Sequence, residues 1–595
     1  MVAENQNLPP QKMTRTERLW ITAAVIFGAG VRLGYPGRMA VEHFDEGVYA
    51  SNFWFGPEQN FCYPAQHLYA PPLLPVAIEW TMTATSLIGI KPTGIIPIIP
   101  CLVAGILMIP SIWWIVRRWF GPAAGLGAAW LVATSDFHAC YSRAALTDVP
   151  VCLFLLWAVY FIERTFTAAA ATVPASGGRK IAPRLPAGMV IPWKQILFAG
   201  GFTSLAWWTK YSGWLPLAIG LAGGTLWQAL IPPTERRVRQ VGICWLLIAA
   251  VAVMLWLPVV WGLQKFGGYE TVAANHRQYL VGVSGWYSSA KRQLTTWGIY
   301  DNPLEFLCSP TIGPFDSPTG SQQLADEKSR VDQQVDRSAA PTSARRFPIG
   351  SNVSVIIPLL WAAAAIVSCL FGMRNQLRTR ESMAIFLLAA WLGGMTVATP
   401  FYYPYPRLVL PWLIASWISI ALLFRSWPIA FPRASAGGFA CELPSVIPVI
   451  LMLTYAIRLA SGCAFAWSDR TPARATAQEF AAKIKQETTQ AGFPANEGIA
   501  YILGEPAIVF GLKSEDLPLV GPVADASFTS RAPSRPTFFV YQADTKSWQA
   551  DDQGSGLQRF ENRDSRFMLH SHLVFYDRPD SKNAAVEMRL DRQSR

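Results

Sequence analysis

The chain has few charged residues for its length. Only 15% of its 595 residues are Asp, Glu, Lys or Arg, whereas about 25% is usual in soluble domains. Apolar side chains make up 52% and lie in runs, without the strict alternation that is typical of transmembrane barrel strands. In lipid, the only other structure that satisfies its own backbone is the helix. The composition therefore excludes an ordinary soluble protein and predicts an all-α polytopic membrane protein.

Two other patterns are missing. The nine cysteines include no CxxC pair, so the sequence lacks the usual signature of a zinc or dithiol site. No internal repeat relates one half of the chain to the other, although such repeats mark many transporters. The sequence therefore shows neither the cysteine pattern of a zinc or dithiol site nor the internal repeat of many transporters.

Eleven apolar segments predict about eleven transmembrane helices, because about 20 helical residues cross a bilayer. Nine are uniform: Leu19–Leu33, Gly94–Val116, Val151–Phe161, Gly213–Ile231, Ile243–Leu263, Val353–Met373, Met383–Thr399, Leu408–Phe424 and Leu443–Gly462. Two are less uniform: Gly121–Phe137 and Trp193–Trp208.

Basic residues predict the orientation. They cluster in every second connection: Lys12, Arg15 and Arg18; Arg117 and Arg118; Arg164, Arg179, Lys180 and Arg184; Arg236, Arg237 and Arg239; Arg374, Arg378 and Arg380. Because such clusters stay in the cytoplasm, we expect a multi-pass protein with a cytoplasmic amino terminus. The net charge of +12 follows from this topology and does not indicate nucleic-acid binding.

This topology predicts the domain organisation. The expected parts are a cytoplasmic terminus (1–18), a membrane domain (19–463) with large outer loops (37–91 and 264–350), and a soluble extracytoplasmic α/β domain (464–595). Within the second loop, 320–346 is polar and charged, and predicts disorder. The last part combines an amphipathic helix, Thr476–Thr489, with β-rich runs at 498–503, 537–541 and 569–576.

Six ionisable residues fall at the predicted outer face. They are Asp45 and Glu46 in HFDEGVYA, Arg143 and Asp148 in YSRAALTDVP, Lys210 in LAWWTKYSG and Arg407 in YYPYPRLVLP. Singly, such residues at span ends are more often snorkelling or solvated. Together they suit a reaction between a hydroxyl nucleophile and an anionic leaving group, since a carboxylate can accept the proton and cations can hold a phosphate.

The histidines leave a metal site open. His43, His67 and His138 lie in predicted outer loops and could bind a divalent metal together with Asp45. Their spacing matches no known ligand pattern, so ordinary loop histidines are the alternative. No cofactor is assigned.

The order of FDEGVYA, a PPL tripeptide at Pro71–Leu73, SRAALTDVP and LAWWTKY resembles the dolichyl-phosphate-mannose protein mannosyltransferase and aminoarabinose transferase superfamily of GT-C glycosyltransferases. The resemblance covers about the first 230 residues. It implies a GT-C membrane fold, a polyprenyl-phosphate sugar donor and a hexosyl- or pentosyltransferase activity. The acceptor stays open among glycolipid, cell-envelope glycan and protein.

The resemblance also implies roles. Asp45 would be the base, with Glu46 orienting it or binding an ion. The donor phosphate would lie among Arg143, Lys210 and Arg407, while Asp148, His43 and His67 would support the site. Ala70 stands where aminoarabinose transferases have Lys, and Tyr211 where Gly is common, so that sugar specificity is not carried over. A flippase of lipid-linked sugars is the main alternative, and a scaffold is another.

Overall fold

The structure is a computed structural model. It describes residues 13–51, 69–170, 191–231, 233, 236–301, 353–379, 383–430, 443–460, 464–503, 506–517, 520–522, 536–542, 560–561, 567–574 and 587–589. The segment 320–346, predicted to be disordered, lies outside the described residues.

Helices dominate the described part of the chain. In the amino-terminal half they are α1 (Arg15–Leu33), α2 (Phe44–Ser51), α3 (Leu73–Leu87), α4 (Ile99–Phe120), α5 (Pro122–Thr134), α6 (Asp136–Ser142), α7 (Asp148–Ala170), α8 (Trp193–Thr209) and α9 (Leu215–Leu230). Further along are α10 (Val238–Leu263), α11 (Gly268–Arg277), α12 (Gly282–Asp301), α13 (Val353–Thr379), α14 (Ala384–Ala398), α15 (Leu410–Ala430), α16 (Leu443–Ala460), α17 (Pro472–Gln490) and α18 (Pro506–Ser514).

Each of the eleven apolar runs overlaps a helix, namely α1, α4, α5, α7 to α10 and α13 to α16. Among the described residues, five helical segments are long and apolar enough to cross a membrane, or six if one bent pair counts as a single span. Three shorter apolar helical segments accompany them, Pro122–Thr134, Leu215–Leu230 and Leu359–Arg374. The chain is therefore a helical protein with several apolar helices, and the count of eleven spans stays a prediction.

Small residues let the membrane helices pack closely. A Cβ atom added to Gly125 of α5 would lie 2.8 Å from the carbonyl oxygen of Trp113 and 3.0 Å from the backbone nitrogen of Arg117, both in α4. Such close backbone approach is typical of helix packing in membranes, where lipid offers no hydrophobic drive for association. The packing of α4 on α5 thus depends on the absence of a side chain at Gly125.

The described residues from 464 onward are called here the C-terminal unit. It contains α17, α18 and six strands: β1 (Ile499–Leu503), β2 (Val520–Pro522), β3 (Thr537–Gln542), β4 (Phe560–Glu561), β5 (Phe567–Val574) and β6 (Glu587–Arg589). The strand order is β2-β1-β3-β5-β4, with β6 also on β5. Strand β1 is parallel to β2 and β3, while β5 is antiparallel to β3, β4 and β6. Its assignment as a soluble outer domain stays a prediction.

Candidate functional site

A cavity of about 550 Å³ lies where several parts of the chain meet, among them Tyr69 and the end of α14. Its walls come from α2, the start of α7, the α8–α9 corner, α11 and the segment before α15. Four of the charged residues predicted from the sequence line it, namely Asp45, Asp148, Lys210 and Arg407. The fold thus gathers residues that are up to several hundred positions apart into one site.

The four side chains form a chain of alternating charge. Arg407 Nη2 lies 2.6 Å from Asp45 Oδ2, and Arg407 Nε lies 4.0 Å from Asp148 Oδ2. Lys210 Nζ lies 2.5 Å from the other oxygen, Asp148 Oδ1. The two carboxylates and two cations balance formally, so an incoming anion must compete with a carboxylate for a cation.

The charges are only slightly exposed. The side chains of Asp148, Asp45, Arg407 and Lys210 are 3%, 12%, 19% and 22% exposed, respectively. Electrostatic interactions are stronger in such a partly dehydrated site than in water, because the effective dielectric constant is lower. The site is therefore suited to stabilising charge that develops during a reaction.

Local structure places three of these charges at helix ends. Asp45 lies in the first turn of α2 and Asp148 begins α7, where the helix dipole favours an anion. Lys210 is the C-cap of α8, and its backbone N–H donates to the carbonyl of Ala206 at 3.0 Å. A cation is favoured at that end of a helix. Arg407 lies in a short 3₁₀ turn, Pro406–Val409, directly before α15.

Asp45 is held in its charged form. Burial by itself raises the pKa of a carboxyl group, but Arg407, His43 and Lys210 together outweigh it, so the pKa of Asp45 lies below its ordinary value. His43 Nδ1 accepts a hydrogen bond from the backbone N–H of Asp45 at 3.1 Å. Burial lowers the pKa of His43, in keeping with a neutral ring that accepts this bond. His43 therefore supports the start of α2.

Aromatic residues that were not singled out from the sequence form much of the wall. The tyrosines that line the cavity are Tyr49, Tyr69, Tyr211, Tyr269, Tyr279, Tyr402 and Tyr405. His276 also lines it, with Nδ1 2.7 Å from the Tyr402 hydroxyl, and burial lowers its pKa to about 4. The tyrosine-rich stretch before Arg407 was the available signal for this wall.

Known proteins share this architecture. Residues 72–172 match the family model of dolichyl-phosphate-mannose-protein mannosyltransferase. The crystal structure of ArnT from Cupriavidus metallidurans bound to undecaprenyl phosphate is 14% identical, with a TM-score of 0.53 over 93% of this chain and 97% of that chain. Archaeal oligosaccharyltransferase AglB from Archaeoglobus fulgidus, in complex with an inhibitory peptide and a dolichol-phosphate, is 12% identical. Its TM-score is 0.51 over 89% of this chain and 69% of that chain.

The fold of the chain is similar to that of GT-C membrane glycosyltransferases of known structure. The resemblance predicted from the motifs is thereby confirmed, and the region that matches the family model contains SRAALTDVP. No curated protein matches the chain in sequence. At identities of 12% and 14% the likeness to the solved structures concerns the fold.

Glu46 does not line the cavity beside Asp45. Its side chain is fully buried and accepts hydrogen bonds from the backbone N–H groups of Glu42, His43 and Ala145. It also forms an ion pair with Arg470 of the C-terminal unit. The geometry supports the orienting role predicted for Glu46 more than a direct contact with substrate.

Arg143 lies outside the cavity lining. Its guanidinium is buried and donates to the carbonyl oxygens of Arg32 (2.8 Å), Gly34 and Tyr35 (3.4 Å). These carbonyls close the C-terminal end of α1, where the last backbone acceptors of a helix lack partners within it. This geometry supports a structural role for Arg143, and its contact with the donor phosphate stays a prediction.

Two of the histidines predicted as metal ligands, His43 and His138, lie in the described part of the chain and belong to no metal-holding group there. His138 is buried against Arg32, whose Nη2 lies 2.8 Å from His138 Nδ1. His67 lies outside the described residues. Among the residues that the structure does describe, no group of three or more His, Cys, Asp or Glu side chains could hold a metal ion. A divalent metal site therefore remains an open alternative, as in the sequence analysis.

Proposed function

We propose that this chain transfers a sugar from a polyprenyl-phosphate donor to a hydroxyl acceptor at the extracytoplasmic face of the membrane. One observation carries the proposal: Arg407, which pairs with Asp45, and Lys210, which pairs with Asp148, lie in one cavity. Two cations next to a carboxylate match a reaction in which a phosphate leaves and a hydroxyl loses a proton.

In the proposed mechanism the donor phosphate binds at Arg407 and Lys210, so that Arg407 releases Asp45. The free carboxylate accepts the proton of an acceptor hydroxyl, and the hydroxyl oxygen forms a bond to the anomeric carbon of the donor. The bond from that carbon to the phosphate oxygen breaks, and its electron pair leaves with the polyprenyl phosphate. The cations stabilise the charge that builds on the leaving group, and Asp45 keeps the proton.

The cavity fits such a ligand in size and in character. A volume of about 550 Å³ is within the roughly 300–1,000 Å³ range of small-molecule sites. Tyrosine rings offer apolar faces to a sugar and hydroxyl groups to its oxygens. The solved GT-C structures that the chain resembles were bound to dolichol-phosphate and undecaprenyl phosphate, which supports a carrier of that class.

The proposal is tested by sugar transfer in membranes. A panel of radiolabelled polyprenyl-phosphate sugars is offered to the wild-type chain, to Asp45→Asn and to Asp516→Asn at matched expression. Asp516 is the control because it is exposed, pairs with Lys91 and has a φ of 63°, which Asn tolerates. We expect labelled product with wild type and with the control, and a loss of about 10²- to 10⁴-fold with Asp45→Asn.

Two results would contradict this function. Product formation that is unchanged in Asp45→Asn would remove the base from the mechanism. No product from any donor, together with carrier translocation that is equal in wild type and Asp45→Asn, would favour the flippase. The sugar and the acceptor are identified by which donor is consumed and which fraction becomes labelled.

A further inference from the structure

The C-terminal unit lies directly against the helix that carries Asp45. A Cβ atom added to Gly47 of α2 would lie 2.2 Å from the backbone nitrogen of Ala507 and 2.4 Å from the carbonyl carbon of Pro506, at the start of α18. The two helices therefore meet backbone against backbone, and no side chain fits between them. Any shift of the C-terminal unit at this contact is transmitted to α2.

An ion pair also joins α2 to the C-terminal unit, at Glu46, which directly precedes Gly47. Arg470 forms an ion pair through Nη2 with Glu46 Oε2, and its Nη1 donates to the carbonyl of Arg143 at 2.6 Å. The backbone N–H of Arg470 donates to the carbonyl of Arg38 at 3.0 Å. The side chains of Arg470 and Glu46 are 7% and 0% exposed. A pair this deeply buried costs much more to break than a surface pair, because the remaining charge is left without compensation.

Glu46 also connects the two segments that supply the carboxylates of the cavity. It directly follows Asp45 in α2, and its Oε1 accepts a hydrogen bond from the backbone N–H of Ala145. Ala145 precedes Asp148, which begins α7 and pairs with Lys210. A single buried side chain thereby sets the separation between Asp45 and the segment that leads to Asp148.

We propose that Arg470 is a positioning residue: through Glu46, the C-terminal unit fixes α2 so that Asp45 faces Arg407 and the acceptor hydroxyl. Arg470 itself does not line the cavity. Its predicted effect on rate rests on the proposed function, whereas its effect on α2 can be measured without any reaction. The C-terminal unit then completes the active site, although its sequence contains no catalytic motif.

The first test measures the order of α2 by hydrogen exchange in the full chain, reconstituted in nanodiscs. Arg470→Gln is compared with Arg474→Gln, which removes an exposed hydrogen bond from the same unit to the Gly37 carbonyl (3.3 Å). We expect amides of Phe44–Ser51 to exchange on the order of tenfold faster in Arg470→Gln and unchanged in the control. Equal exchange in Arg470→Gln and wild type would overturn the proposal.

The second test separates positioning from donor binding. A displacement of the base by about 1 Å can lower turnover by about 100-fold, so we expect Arg470→Gln to lower kcat by about 10- to 100-fold. The donor KM should not rise, since Arg407 and Lys210 still line the cavity and a displaced Asp45 competes less with the phosphate for Arg407. Arg470→Lys should recover part of kcat because it keeps the charge, and it replaces Arg470→Gln if that variant fails to fold.

The outcomes separate this proposal from the proposed function. A higher donor KM with unchanged kcat would contradict a positioning role for Arg470. If wild type transfers no sugar from any donor, the proposed function fails, and the hydrogen-exchange comparison alone decides whether Arg470 orders α2.

Discussion

Asp45→Asn should change turnover and carrier binding in opposite directions. Arg407 Nη2 lies 2.6 Å from Asp45 Oδ2, so the carboxylate and a donor phosphate compete for one guanidinium. Asn is nearly isosteric with Asp but carries no charge. The substitution removes the base and, at the same time, removes the competitor of the phosphate. We therefore expect a variant that binds polyprenyl phosphate more tightly and transfers sugar far more slowly.

The expected gain in affinity for polyprenyl phosphate depends on the ion pair between Asp45 and Arg407, which the wild-type chain must break to bind the phosphate. A hydrogen bond between charged groups contributes about 1.5–3 kcal/mol, and about 1.4 kcal/mol corresponds to a tenfold change in affinity. The side chains of Asp45 and Arg407 are 12% and 19% exposed, so solvent weakens the pair only in part. Arg407 also keeps Asp148 at 4.0 Å, which still opposes the phosphate. The low end of the range applies, and we expect about tenfold tighter binding.

The assay is equilibrium binding of labelled undecaprenyl phosphate to the purified chain in nanodiscs, with wild type, Asp45→Asn and the exposed control Asp516→Asn. Sugar transfer is measured on the same preparations. Equal or weaker binding by Asp45→Asn would refute the idea that Asp45 and the phosphate share Arg407. An effect of similar size in the control would assign the change to net charge instead of to this contact.

Two further predictions concern Asp45 and Arg143. Because the pKa of Asp45 in the folded chain is lowered, its pair with Arg407 contributes stability above the unfolded value of about 3.9 and loses it as the pH falls through the folded pKa. The pH profile of kcat/KM for the donor should therefore show no loss from Asp45 between pH 7 and about pH 5; a carboxyl-like decline near pH 6 that is absent from Asp45→Asn would contradict this. Arg143→Gln should reduce the yield of folded protein, since the buried carbonyl of Arg32 loses its donor at a cost of about 1–3 kcal/mol, while the donor KM of the folded fraction stays unchanged. A raised donor KM at normal yield would instead indicate that Arg143 contacts the donor phosphate.

The six charged residues chosen from the sequence separate into two groups in the structure. Asp45, Asp148, Lys210 and Arg407 share the cavity, whereas Glu46 and Arg143 lie outside its lining. Two motifs each contribute one residue to both groups: Glu46 directly follows Asp45, and Arg143 lies five residues before Asp148. Adjacent residues on a helix point about 100° apart. Position in a motif therefore does not tell which side chain reaches the cavity and which one reaches the packing interface.

The sequence by itself indicated a helical membrane protein that resembles the GT-C glycosyltransferases, and it singled out the four charged residues that share the cavity. That information is local: hydropathy over about 20 residues marks a span, and an ionisable residue near lipid needs a functional or structural reason. Only the tertiary structure decided that Arg407 bridges two carboxylates, that His276 and tyrosines form the wall, and that Arg470 reaches Glu46. These contacts join residues up to 424 positions apart. Distance along a chain does not set distance in space, and packing alone fixes which buried charges meet.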